Sequence, residues 1–95
     1  MSKKEMFTKL CSIMAEMEDV ITIFESLGFV VEPGKKDTVS NSLYNTCSTA
    51  YAVAKEFLNT PNVETENDVC NELLTANSKE MPEIAERIWG LYGVE

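Results

Sequence analysis

A chain of 95 residues, of which 44% are hydrophobic and 25% charged, has the composition of one folded domain with a modest core. Its net charge of −8, from 8 basic and 16 acidic residues, repels phosphate backbones, so we expect no direct binding to nucleic acid. The sequence has no histidine and so lacks the most common general base and zinc ligand. We therefore expect neither an enzyme nor a bound metal or other cofactor.

The hydropathy and cysteine patterns bear on where the protein works. No stretch is long and apolar enough to cross a membrane, and the N-terminus lacks the apolar run of a signal peptide. Cys11, Cys47 and Cys70 are widely spaced in apolar helical contexts, without a Cys-x-x-Cys pair, and are typical of reduced core residues. We therefore expect a cytoplasmic protein without membrane contact.

The strongest pattern predicts a long amphipathic helix over 3–27. Ser2 and Glu5 form a Ser-x-x-Glu capping box at its start, and Gly28 can adopt the left-handed conformation that ends a helix. Apolar residues cover about 160° of its circumference, whereas an ordinary surface helix needs about 100°. They fall into a first column of Phe7, Leu10, Met14, Met17, Ile21 and Phe24 and a second column of Met6, Ile13, Val20 and Leu27.

Two interpretations fit this wide apolar face. Shorter helices of the same chain can wrap around it, which requires no function. Because those helices would have to cover about seven turns, the alternative is that part of the face binds a second copy of the chain. We therefore predict a homo-oligomer, with a dimer as its simplest form, and assign the self-association contact to Phe7, Leu10, Met14, Met17, Ile21 and Phe24.

A second helix is predicted over 38–59, after a short apolar run and a turn. Phe29, Val30 and Val31 are expected to form an extended segment pressed against the core, followed by a turn at Pro33-Gly34. Asp37 or Thr38 is the predicted cap of the helix, and Thr60-Pro61 ends it. Its inward stripe comprises Val39, Leu43, Cys47, Ala50, Ala54, Phe57 and Leu58.

The turn before this helix is a candidate anion-binding site. Lys35 and Lys36 precede the helix N-terminus, where free N–H groups and hydroxyls favour negative charge. We therefore consider an anion site formed by Lys35, Lys36, Thr38 and Ser40, which lacks the glycine and strand of a Walker A loop. A solvated turn with a polar cap explains the same residues.

Two shorter helices complete the predicted fold. One covers 66–77, with Thr65 as the N-cap of a Thr-x-x-Asp box, and the other covers 82–92, with Pro82 in its first turn. The first is expected to bury Val69, Cys70, Leu73 and Leu74, and the second Ile84, Ala85, Ile88, Trp89, Leu91 and Tyr92. The prediction is therefore a single all-α domain over 1–95, a small bundle of about four helices without a substantial sheet.

Acidic residues cluster at the start of the third helix. No basic residue interrupts the set, which comprises Glu64, Glu66, Asp68 and Glu72. Carboxylates in a first helical turn offset the helix dipole, and this explains them without a function. The alternative is an acidic docking surface for a basic protein. Further along the chain, Glu83 and Arg87 are spaced for an ion pair within the fourth helix.

Together these features favour a non-enzymatic protein-interaction module. We predict an acidic adaptor or inhibitor that binds a partner protein with a basic surface through Glu64, Glu66, Asp68 and Glu72. The sharper version of this hypothesis is mimicry of a nucleic-acid backbone. The alternative function is a small-anion or nucleotide-binding helical oligomer that uses the Lys35 and Lys36 turn.

Overall fold

The computed structural model describes residues 1–31 and 38–94, with the backbone alone for 38–40. Within these ranges it contains four α-helices, and the all-α prediction is confirmed. They are α1 (Lys3–Ser26), α2 (Thr38–Ala54), α3 (Val63–Thr75) and α4 (Met81–Tyr92), with a 3-10 turn over Lys55–Phe57. The predicted turn at Pro33-Gly34 and the candidate cap Asp37 lie outside the described residues.

Helix α1 begins and ends where its sequence predicts. The Ser2 hydroxyl oxygen accepts from the Glu5 N–H at 3.1 Å, and the same hydroxyl donates to the Glu5 carboxylate at 3.1 Å. Gly28 follows the last turn with φ +92°, a conformation that L side chains rarely adopt. At 1.5 Å per residue the helix is about 36 Å long. It therefore accounts for most of the longest dimension of the molecule, 42 Å.

The core lies on the side of α1 that faces the other three helices. Helix α1 contacts α2, α3 and α4, most extensively α2. The ring of Phe7 packs edge-on against that of Trp89, with centroids 5.4 Å apart. Burial of these apolar side chains is the main force that holds the helices together. The buried cluster comprises Phe7, Cys11, Met14, Ala15, Cys47, Ala50, Ala54, Val69, Leu73, Ala76, Met81, Ala85 and Ile88.

Helix α4 runs antiparallel to the first part of α1. Lys4 donates to Glu86 at 2.9 Å near the start of α1, and at the other end Asp19 accepts from the Ser78 N–H at 3.2 Å. Ser78 belongs to the turn that joins α3 to α4. Helices α3 and α4 therefore contact α1 no further along than about Asp19. The last two turns of α1 extend beyond them.

Helix α2 ends earlier than predicted. It stops at Ala54 rather than near Asn59, and Leu58 leaves the helix as an extended residue that forms an isolated bridge with Gly93. The Asn59 N–H donates to the Tyr92 carbonyl at 2.8 Å, and the Val94 N–H donates to the Phe57 carbonyl at 3.0 Å. Pairing with the end of the chain therefore replaces the last helical hydrogen bonds of α2.

Helix α3 begins three residues before the predicted start. The predicted cap Thr65 is wrong, because Asn62 is the N-cap, with φ −159° and ψ 172°. Its side-chain oxygen accepts from the Thr65 N–H at 2.8 Å. Both residues are of types that cap helices, and only the extended backbone at Asn62 distinguishes them. Thr65 therefore lies within the first turn of α3, where its own N–H is the group being capped.

Three local predictions also require correction. Leu91 was expected to be buried, but it is exposed, about 120° around α4 from the buried Ala85. Of the apolar run after α1, Val31 is buried and the preceding two residues are exposed. Arg87 forms its ion pair with Glu72 on α3 rather than within α4.

Candidate protein-binding surface

An exposed apolar patch lies at the C-terminal end of α1. Ile23, Leu27, Phe29 and Val30 are 58%, 68%, 55% and 57% exposed, and we call these four residues the terminal patch. The ring of Phe29 packs edge-on against that of Phe24, with centroids 5.6 Å apart, so part of the patch is held in place. Contiguous apolar surface of this kind is typical of interaction sites on soluble proteins.

The terminal patch is exposed because α3 and α4 are shorter than α1. The turn between them reaches α1 at Asp19, and Ile23 and Leu27 lie beyond that point. They are also on the outer side of the helix, since Ile21 faces inward and is buried. Of the wide apolar face predicted from the sequence, Met14 and Ile21 are thus buried and Leu27 is exposed, and Ile23 lies outside that face.

This arrangement corrects the predicted self-association contact. Phe7, Met14 and Ile21 are buried inside the chain, so they offer no surface to a second copy in this fold. The other three members of the set, Leu10, Met17 and Phe24, are half-buried. Self-association itself stays a prediction, and the exposed large apolar side chains on α1 and its C-cap are Met6, Ile23 and Leu27.

Carboxylates are the only charged residues of α1 beyond Leu10. Residues 10–31 contain four carboxylates and neither Lys nor Arg, and α2 carries no charged residue at all. Burial raises the pKa of Glu18, and repulsion from Glu25 and then Asp19 raises it further. A cationic group placed beside these carboxylates would relieve that repulsion. The four carboxylates are Glu16, Glu18, Asp19 and Glu25.

A shallow groove between α1 and α2 lies on the same side of α1 as the patch. Its volume is about 420 Å³, and Leu10 and Ile13 form its α1 wall. Ile13 belongs to the helical column that continues through Val20 to Leu27, and these 14 residues rise about 21 Å. Ile13 of the groove and Leu27 of the terminal patch therefore lie on one side of α1. The α2 wall consists of Asn45, Thr46, Thr49, Ala50 and Val53.

The structure divides the four acidic residues predicted as a docking surface. Glu64, Asp68 and Glu72 follow one another at four-residue spacing along one side of α3, and Arg87 pairs with Glu72. Glu66 points the other way and lines a pocket of about 300 Å³ with Tyr51 and other residues. Two unpaired and exposed carboxylates, Glu64 and Asp68, therefore remain from the set in the described part of the chain.

The pocket beside Glu66 is polar and small. Burial raises the pKa of Tyr51 to about 12, with further contributions from the Cys70 thiol and the Glu66 carboxylate. The Tyr51 hydroxyl therefore keeps its proton at neutral pH and acts as a donor. The pocket is lined by Tyr51, Lys55, Glu56, Leu58, Asn59, Thr60, Glu66 and Val69.

The cysteines lie where a structural role would place them. All three are free thiols; Cys11 and Cys47 are buried and Cys70 is half-buried. Burial raises the pKa of Cys11 to about 12 and also raises that of Cys47, so these thiols stay protonated. Across 1–31 and 38–94 no three Asp, Glu, His or Cys side chains are grouped to hold a metal ion.

The candidate anion site cannot be placed. Lys35 and Lys36 lie outside the described residues, as do the side chains of Thr38 and Ser40, so this site stays a prediction. Among the helices that the structure describes, none has the length and apolar character needed to span a membrane.

The chain is thus a small all-α protein with an apolar patch and an acidic surface. Comparison with known protein families, with curated proteins and with solved structures finds no match.

Proposed function

We propose that this protein is a non-enzymatic interaction module that binds a partner protein through the terminal patch. The observation that carries the proposal is the exposure of Ile23, Leu27, Phe29 and Val30 at the end of α1, beyond the reach of α3 and α4. An apolar centre with a polar rim is the usual composition of a protein interface. Binding of the partner would remove these apolar side chains from water.

The partner's contact segment combines apolar side chains with Lys or Arg. The carboxylates nearest the patch along the chain are Glu25 and Glu32, and no basic residue lies within 10–31. Electrostatic complementarity at an interface suppresses partners of like charge and favours those of opposite charge. In such an acidic chain, the proposed role is therefore an adaptor or inhibitor that captures a basic protein surface.

Salt dependence separates this complex from self-association. Two copies joined through the patch would bring like carboxylates together, so added salt would strengthen a homodimer. A complex with a basic partner would weaken as salt screens the attraction. Light scattering of the protein alone across a salt series therefore tests the homodimer, and the binding of a basic peptide across the same series tests the other complex.

A selection from a random peptide library tests the proposal without a known partner. With the immobilised protein as bait, we expect enriched peptides that combine apolar residues with Lys and Arg. Their binding should fall at least about tenfold in an Ile23→Ser/Leu27→Ser variant, because the patch supplies the apolar contact. A lack of enrichment, or enrichment of acidic peptides, would contradict the proposal.

The matched control changes two other exposed apolar residues. Val63 and Leu91 are 69% and 62% exposed and lie on α3 and α4. A Val63→Ser/Leu91→Ser variant loses similar apolar surface away from the patch, so the selected peptides should bind it as they bind the wild type. Equal loss in both double variants would mean that binding is not specific to the patch.

Charge substitutions on α3 separate the patch from nucleic-acid mimicry. If Glu64 and Asp68 were the recognised charges, a Glu64→Gln/Asp68→Asn variant would lose most of its affinity for a basic partner at low salt. Under our proposal the same variant should keep its affinity for the selected peptides to within about threefold, since rim charges contribute little.

A further inference from the structure

We infer that the segment bound by this protein is an amphipathic helix with basic flanks that lies along the groove between α1 and α2 and ends on the terminal patch. This inference rests on the proposed function and specifies the shape and chemistry of the partner. It follows from the apolar column of α1 that runs from the groove towards the patch, from the residues of the α2 wall and from the distribution of charge.

The length and course of the apolar face fit a helix. Ile13, Val20 and Leu27 repeat every seven residues, and the apolar face that they define is about 21 Å long. A bound helix of about 14 residues spans the same distance, and its apolar residues at three- and four-residue spacing can pack against this column. The groove at Ile13 and the patch at Leu27 are then the two ends of one binding face.

The α2 wall allows close approach of a helix backbone. Thr46, Thr49 and Ala50 are small residues that line the groove, and Val53 adds an apolar side chain at its end. Helices pack at interaxial distances of 8–10 Å depending on the side chains at the contact, and small residues favour the shorter distances. In the described ranges there is no strand whose edge an extended segment could join, so strand addition has no template here.

The distribution of charge specifies basic flanks. Helix α2 carries no charged residue, and α1 beyond Leu10 carries carboxylates alone, among them the exposed Glu16 and Glu25. Glu16 lies on the same side of α1 as Ile13 and Leu27, so Lys or Arg beside the apolar stripe of a bound helix lies near it without burying a charge. Because α2 has no charged side chain, the groove contacts the apolar stripe of the bound helix rather than its basic flanks.

Two designed peptides of about 14 residues test the inference. The first has Leu at three- and four-residue spacing with Lys and Arg on both flanks. The second has the same sequence except that two residues are replaced by Pro, which breaks the helix. We expect the helical peptide to bind in a fluorescence anisotropy titration and the proline peptide to bind at least about tenfold more weakly.

A matched pair of tryptophan variants tests the position of the helix. Thr49→Trp fills the groove from its exposed α2 wall, and Thr75→Trp places the same ring on the exposed last turn of α3. We expect Thr49→Trp to weaken the helical peptide at least about tenfold and Thr75→Trp to leave it unchanged. Circular dichroism of both variants confirms that each remains folded.

The outcomes separate this inference from the proposed function. If both peptides bind equally, or if Thr49→Trp binds as the wild type does, the helix in the groove is overturned. In that case a loss of binding in Ile23→Ser/Leu27→Ser still supports the interaction function of the patch. If neither peptide binds and the library selection also yields no basic apolar binder, the proposed function fails together with the inference.

Discussion

Apolar side chains on two sides of α1 meet different environments. On the inner side, Met14 and Ile21 are buried by the rest of the chain. On the outer side of the last turns, Ile23 and Leu27 stay exposed. The difference arises from the side of α1 that these residues occupy and from the lengths of α3 and α4, which are about half as long as α1.

This contrast shows that apolar side chains on a helix favour burial, whether the same chain or a partner covers them. On the inner side the covering helices belong to the same molecule, and ion pairing between Lys4 and Glu86 accompanies the packing. On the outer side the covering element is the partner that we propose. A stable core and a binding surface can therefore lie on two sides of one helix.

Alanine substitutions on the two sides of α1 should give the largest difference in the free energy of unfolding. Met14→Ala should lower the free energy of unfolding by about 2–5 kcal/mol, because it removes a fully buried side chain from the core. Ile23→Ala should change it by less than about 0.5 kcal/mol, since that side chain is exposed. Ile21→Ala is the matched control, with a buried isoleucine two residues away and a cost in the range of Met14→Ala. Chemical denaturation measures all three, and a large loss in Ile23→Ala would mean that the patch is covered.

The end of α1 should also be sensitive to backbone conformation. Gly28→Ala should cost about 1–2 kcal/mol, because Gly28 has φ +92° and an alanine there is strained. No atom lies within 4 Å of an added Cβ, so the cost is conformational rather than steric. Gly90→Ala within α4 is the control: it also meets open space but has a helical backbone, and it should stabilise the protein by about 0.5–1 kcal/mol. Thermal unfolding of the two variants checks these opposite signs.

The smallest effect is expected from the crowded carboxylates near the patch. The pKa of Glu18 is raised above 4.5 in the folded state, so its charged form is disfavoured there. Its contribution to stability is therefore lowest at neutral pH, and it rises as the pH falls through the raised pKa towards 4.5. Glu18→Gln should raise the unfolding midpoint at pH 7, and this gain should shrink on acidification. Glu16→Gln removes the same charge from an exposed position of α1 and controls for net charge. A gain that stays constant across the pH series would contradict this account.

Much of the fold was predictable because the signals that specify it are local. The cap at Ser2, the left-handed Gly28 and the periodicity of α1 act within a few residues of one another, and the structure confirms them. The start of α3 was not predictable, because Asn62 and Thr65 both have side chains that cap helices. The end of α2 was missed because it depends on hydrogen bonds to Tyr92 and Val94, far along the sequence.

The candidate surface was predictable only in part. The excess width of the α1 face indicates that some of its apolar residues lack cover within the chain, and Leu27 is among them, whereas Ile23 lies outside that face. The sequence does not show that the turn at Ser78 meets α1 at Asp19, so it assigned the contact to the buried column instead. The acidic set on α3 was divided for a similar reason, because Arg87 on α4 pairs with Glu72.

Methyl NMR of the protein titrated with the basic helical peptide tests the central claim most directly. We predict that the methyl signals of Ile13, Ile23 and Leu27 shift during the titration, since they lie along the exposed face of α1. The signals of Leu73 and Ile88, which are buried on α3 and α4, should stay in place. Shifts confined to α3 and α4, or no shift at saturating peptide, would contradict the claim that the uncovered end of α1 is a binding surface.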